Sequence, residues 1–161
     1  MSICEDYLGK KNFPQYQYID LGCGKGKSLI LYLEKYKDTL NFPPIGIEYD
    51  KNLHEIANKN ILKICKYSSN NISLILDSAI NLERYTQSKK LIIYLYNSFR
   101  GKTLDKVLDI LNDYIHLIIY IDPEEEYKFI KFNYKIIARR KGKYNANSWL
   151  ILKKNNNENS I

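Results

Sequence analysis

The residues with the clearest chemical meaning lie in one stretch, residues 18–28, which reads YIDLGCGKGKS. An apolar run gives way there to three glycines at alternate positions, Gly22, Gly24 and Gly26, with an acid, Asp20, just ahead of them. A strand that turns this tightly into a helix leaves unpaired N–H groups and the positive end of a helix dipole facing outward. Glycine lets a ligand approach such a backbone closely and permits positive φ, but three in one turn lower stability without a compensating role. Three ligand chemistries use loops of this kind. The phosphate-binding pattern G-x-x-x-x-G-K-[ST] is met at its end by Gly26, Lys27 and Ser28, while its first glycine falls on Leu21. Residues 118–124 (IIYIDPE) resemble a strand ending in the acid that would hold magnesium, so this nucleotidase or kinase reading stays open as an alternative. The dinucleotide pattern G-x-G-x-x-G fits Gly22 and Gly24 and fails at Lys27.

The third pattern, an acid followed by alternating glycines, is met at every position. Asp20, Gly22, Gly24 and Gly26 resemble motif I of the class I S-adenosylmethionine-dependent methyltransferases. The resemblance implies a loop (Gly22, Cys23, Gly24, Gly26) wrapped around the methionine and ribose of S-adenosyl-L-methionine, with Asp20 anchoring the amino-acid end. An acid suits that ligand, because its ammonium and sulfonium are positive where a dinucleotide offers a pyrophosphate.

Further positions follow in the family's order. Glu48 closes the segment Gly46-Ile47-Glu48, 22 residues beyond Gly26 (48 − 26), where an acid at the tip of a second strand binds ribose hydroxyls. Asp50 competes for that role, although capping a helix explains it as well. Asp77, after the apolar run at 72–76, corresponds to the acid that accepts from the adenine amino group, with Ser78 and Ala79 beside the ring; capping explains Asp77 too. Asn97-Ser98-Phe99 resembles motif IV, which reads Asn/Asp-Pro-Pro-Tyr/Phe in amine methyltransferases. Carried over, the Asn97 oxygen accepts from a target amine and the Phe99 ring packs on the acceptor. Ser98 stands where the family has proline, which leaves the turn less preorganised. The resemblance implies methyl transfer, to an amine nitrogen on a protein or nucleic acid as one reading, while a non-catalytic module that only binds the cofactor stays open.

These residues need a scaffold, and the apolar pattern supplies one. Residues 16–21, 45–49, 72–76, 91–96 and 115–121 read as strands. Between them, Leu29, Leu33 and Tyr36 recur at helical spacing, as do Leu53, Ala57, Ile61 and Ile64, and Leu104, Val107, Leu108 and Leu111. Pro43-Pro44 break the chain before the second strand. Strands alternating with helices predict a parallel α/β sheet with right-handed crossovers and helices on both faces. Residues 133–139 and 148–153, joined through Gly142, predict a C-terminal antiparallel hairpin. The resemblance names this a Rossmann-like fold, and it spans residues 16–120 plus that hairpin. In such a sheet Asp20, Glu48, Asp77 and Asn97 all fall at the C-terminal ends of strands, where ligands bind.

The 161 residues suit one domain, expected over 1–153, with a disordered polar tail over 154–161. No apolar run approaches the roughly 20 residues that cross a bilayer, and no signal peptide opens the chain, so a cytoplasmic protein is expected. Three cysteines without a CxxC pair and two histidines suggest neither a disulfide framework nor a metal site. The net charge of +7 and the cluster Arg139, Arg140, Lys141 and Lys143 admit an RNA or other acidic partner. The abundance of Lys, Asn, Ile and Tyr, all encoded by A/T-rich codons, accounts for a basic chain without one. The 15 tyrosines suit strands better than base stacking.

Overall fold

A computed structural model describes residues 2–64, 72–143 and 147–155. Seven strands form one sheet: β1 (Gln17–Leu21), β2 (Ile45–Glu48), β3 (Ser73–Leu76), β4 (Lys90–Tyr96), β5 (Ile115–Ile121), β6 (Tyr134–Arg140) and β7 (Trp149–Lys154). Their order is β3-β2-β1-β4-β5-β7-β6. The first five pair in parallel, and β7 enters antiparallel between β5 and β6. The order reverses between β1 and β4, which opens a crevice outside the C-terminal ends of those strands.

All five residues of β1 are buried, so both faces of the sheet are covered. Alternation sends them to two cores. Ile19 and Leu21 join α4 (Lys102–Ile110), through Leu104, Val107 and Leu108, with Leu82 and Phe129 on the same side. Tyr18 joins the other face, covered by α2 (Lys27–Tyr36) through Leu29, Tyr32, Leu33 and Tyr36 and by Ile61 of α3 (Lys51–Ile64). Asp20 shares Tyr18's face by period-two alternation, which puts it beneath the start of α2. Tyrosines fill this side: Tyr18 and Tyr32 stack with centroids 4.0 Å apart.

The helical face expected at 53–64 ends earlier, for Ala57 and Ile61 are buried while Ile64 is 51% exposed. Two short helices fall outside the sequence reading, α1 (Ser2–Leu8) and α5 (Glu126–Lys131), each too short to show a helical period. Asp50 caps α3 by accepting from the Leu53 N–H at 2.9 Å. β7 runs through Lys154, and Asn155 pairs with Asn133 by backbone (2.9 Å) and side chain (3.1 Å). Residues 154 and 155 are therefore tied to the sheet rather than to a tail, because Tyr134 of β6 pairs with Lys154 and Asn133, just ahead of β6, with Asn155; residues 156–161 of the expected tail lie outside the described residues. Cys65 lies outside them as well. No helix among the described residues is long and apolar enough to cross a membrane.

Candidate functional site

The glycine loop links β1 to α2, and Gly22, Gly24 and Gly26 all take positive φ (76°, 54° and 78°). Gly22 is additionally fixed by crowding: a Cβ there would collide with the Ser98 side chain, meeting its Oγ at 2.6 Å. The loop therefore lies directly against the turn that follows β4, and only glycine allows that approach.

The backbone of this loop is already engaged. Gly22 and Cys23 donate to the Ile47 carbonyl at 2.8 and 3.1 Å, Gly26 donates to the Cys23 carbonyl at 2.9 Å, and Gly24 donates to Glu48 Oε2 at 2.7 Å. A phosphate cradle needs these N–H groups free. Here those of Gly22, Cys23 and Gly24 hold the loop to β2 instead, and that of Gly26 closes the loop on itself. The side chain of Cys23 turns inward and packs with Leu29, so the residue shapes the loop and its thiol, driven up by burial, offers no chemistry. Ser28 Oγ donates to Asp20 Oδ2, where a phosphate-loop serine would hold magnesium.

Two carboxylates sit against the loop. Asp20 is 2% exposed, and burial raises its carboxyl to about 7 against the opposing effect of Ser28, with the Glu48 charge adding to the rise. Glu48 is 7% exposed and accepts from Gly24 on Oε2 and from the Asp50 N–H on Oε1 at 2.8 Å. Each Glu48 oxygen keeps a second lone pair. Asp50, the competitor for the same role, is held by the α3 cap.

Two cavities meet at Gly22. One, about 610 Å³, is lined by Asp20, the loop, Ser28, Leu31, Tyr94 and Tyr96. The other, about 310 Å³, is lined by Glu48, Tyr49, Asp77, Ser78, Ala79 and Phe99. Both fall at the C-terminal ends of the strands, where the sequence spacing placed Asp20, Glu48 and Asp77. Asp77 is half-buried, and Oδ1 accepts from Ser78 N–H (2.7 Å) and Asn81 Nδ2 (2.9 Å), while Oδ2 accepts from Tyr85 at 2.5 Å. These hydrogen bonds hold its carboxyl below the usual range, so it is an anion with one lone pair to spare. Tyr49, 81% exposed at the mouth, was not singled out by the sequence, since a strand-end tyrosine carries no spacing signal.

The motif IV pair separates. Phe99, expected to pack on the acceptor, lines the Glu48–Asp77 cavity, on the far side of Gly22 from the Tyr94–Tyr96 cavity. Asn97 follows β4 with φ 47° and borders neither cavity. Its Nδ2 donates to Glu124 Oε1 at 2.6 Å, and its Oδ1 is buried without a partner among the described residues. Arg100 also binds Glu124, with Nη2 2.7 Å from Oε1, and Gly101 N–H donates to Glu125 Oε2 at 2.8 Å. The turn that proline would have stiffened is thus braced from the β5–α5 loop. Asp122, the acid expected to hold magnesium in the phosphate-loop reading, accepts from Ser148 N–H at 3.0 Å and tethers the start of β7.

The strand order with an inserted antiparallel β7, and a glycine loop bordered by strand-end acids, are those of the class I methyltransferase fold. No family model and no curated protein matches the sequence. Solved structures do. The chain is similar to an rRNA methylase from Streptococcus thermophilus (TM-score 0.64, 16% identity, 94% of each chain covered). It is also similar to a protein of the NADB-Rossmann superfamily from Streptococcus agalactiae (TM-score 0.65, 14% identity, 91% of this chain and 65% of that one). A third likeness is to a pericyclic reaction enzyme (TM-score 0.62, 14% identity, 94% of this chain and 46% of that one). At such identities the fold is shared, and the chemistry has to be argued from the site.

Proposed function

We propose that the chain is an S-adenosyl-L-methionine-dependent methyltransferase. The observation that carries this reading is the electrostatic character of the glycine loop. The N–H groups of Gly22, Cys23, Gly24 and Gly26 are satisfied internally and the buried acids beside them are Asp20 and Glu48, an arrangement that disfavours phosphate at these glycines and favours a cation. When bound, the cofactor supplies a methyl group activated on a positive sulfur.

The residues fit the two halves of that molecule. The larger cavity, with Asp20 at its base, suits the ammonium end, and the ammonium in turn stabilises the Asp20 carboxylate. Glu48 has a free lone pair on each oxygen for the ribose hydroxyls. Asp77 accepts from the adenine amine, with Tyr49 and Phe99 bordering the ring and Ser78 and Ala79 closing the cavity. The protein's part is to position donor and acceptor in line, which needs no nucleophile of its own. Asn97 Oδ1, which the braced turn leaves without a partner among the described residues, accepts from an amine on the acceptor. The acceptor class proposed is a macromolecule, protein or RNA, met in a cytoplasmic setting.

Calorimetric titration with S-adenosyl-L-methionine, S-adenosylhomocysteine and ATP–magnesium tests the reading. Micromolar binding of the first two, roughly −8 kcal/mol, is expected, with none for ATP–magnesium. Binding of ATP–magnesium alone would replace this proposal with the phosphate-loop reading. Binding of the first two without turnover on any protein or RNA acceptor would leave a cofactor-binding module.

A further inference from the structure

A cavity of about 800 Å³, larger than either at the glycine loop, opens at the opposite edge of the sheet. It is built by the start of β5, the end of β7, the residue before β4 and the end of α1. Three lysines from two segments line it: Lys89 just ahead of β4, and the neighbours Lys153 and Lys154 at the end of β7. Each ammonium lies near a tyrosine ring, Lys89 4.7 Å from the Tyr114 centroid, Lys153 5.7 Å from Tyr7 and Lys154 5.2 Å from Tyr134. None of the three is in an ion pair among the described residues. One carboxylate, Asp113, lines the cavity against three ammonium groups.

Lys154 carries the point furthest. Its Nζ donates to Asn112 Oδ1, a neutral partner. Burial pulls its pKa down, with only the more distant Asp109 charge opposing. A partly desolvated ammonium that has an amide instead of a carboxylate is held in an incomplete electrostatic environment, which an incoming anion would complete. Tyr134 is buried, but Tyr7 and Tyr114 line the cavity beside Lys153 and Lys89, and aromatic rings beside unpaired cations are the combination that takes a phosphate backbone and its bases. We propose that this cavity is a second binding site, separate from the glycine loop, for the phosphate groups of a nucleotide or of a single-stranded nucleic acid. Its position at the N-terminal ends of β4 and β5 makes it independent of the methyl-transfer reading.

The test is fluorescence anisotropy of a short labelled single-stranded RNA on the full chain and on Lys89→Gln/Lys153→Gln, with Lys51→Gln/Lys59→Gln on exposed α3 positions as control. The first double variant is expected to lose at least tenfold in affinity. Its plot of log affinity against log salt should be shallower by roughly 1.4, two phosphate contacts at about 0.7 each. The control should keep both. Adenosine monophosphate and inorganic phosphate compete in separate arms: displacement by both assigns the site to phosphate, and displacement by the nucleotide alone assigns it to phosphate with base. Equal losses in the two double variants, no loss in the first, or equal displacement by polyglutamate would overturn the proposal. So would a fall in S-adenosyl-L-methionine affinity in Lys89→Gln/Lys153→Gln, whereas a wild-type chain that binds no such cofactor leaves the phosphate test intact.

Discussion

Asp20 is an acid kept where the fold would be better off without its charge. Its carboxyl, raised by burial to about 7 from 3.8, favours folding while protonated. That contribution is fully present below pH 3.8 and is lost as pH rises through 7, with a shift of this size corresponding to roughly 4 kcal/mol at most. Asp20→Asn removes the ionisation and can keep an acceptor for Ser28. Melting at pH 8 is expected to rise by several degrees in this variant, while calorimetry should read cofactor affinity at least tenfold weaker. In the wild type the same ionisation should make cofactor binding tighten from pH 6 to 8, and a flat profile would remove Asp20 from the ammonium subsite. Glu48 is better probed by Glu48→Gln, which keeps one acceptor oxygen, than by alanine, which would strand both the Gly24 and the Asp50 N–H groups at about 1–3 kcal/mol each. The expected result is a folded protein, checked by circular dichroism, with roughly tenfold weaker cofactor binding.

At the scale of elements, the turn after β4 depends on the loop after β5. Glu124 accepts from both Asn97 and Arg100, and this brace fixes which way the Asn97 amide points, because only Nδ2 can donate to a carboxylate. Asn97→Ala is expected to abolish transfer while cofactor affinity stays within twofold. Glu124→Gln should lower kcat without moving cofactor affinity, since an amide at 124 no longer dictates the orientation of the amide at 97. A drop in cofactor affinity in either variant would instead make this pair part of the loop scaffold. Gly22 belongs to the same unit, as its missing side chain is what lets Ser98 seat against the loop. Arg139, one of the basic hairpin residues considered for RNA, is paired with Glu126 at 2.6 Å, so the cluster has less free charge than its sequence suggests.

Across the whole molecule two buried titratable groups oppose each other. His116, 4% exposed, donates through Nδ1 to the Tyr114 carbonyl at 2.9 Å and accepts on Nε2 from Tyr134 at 2.5 Å. Burial lowers it to about 4 from 6.5, so its contribution is complete above pH 6.5 and is lost as pH falls toward 4. Between those values a rise in pH strengthens the His116 contribution and weakens that of Asp20. Above pH 6.5 only Asp20 still changes. Scanning calorimetry of the wild type should therefore show a melting temperature that falls from pH 6.5 to 8. In Asp20→Asn the curve should be flat over that interval and decline only as pH drops from 6.5 toward 4.

Much of this protein was legible in its sequence because the signals are local. Period-two and helical spacing gave the alternating elements, alternate glycines after an acid marked the loop, and Glu48 and Asp77 followed at strand ends. A parallel sheet then obliges those ends to lie side by side, whatever the side chains do. The short helices α1 and α5 escaped, having too few residues to repeat a pattern and being held by few buried residues, Cys4 in α1 and Lys128 and Phe129 in α5. Only the tertiary structure decided where the loop's N–H groups go, that Phe99 lines the Glu48–Asp77 cavity, that Glu124 braces Asn97 from 27 residues away, and that three lysines gather at the far edge. Each of these depends on contacts between segments distant in the chain, and residue spacing carries no record of which distant segments will touch.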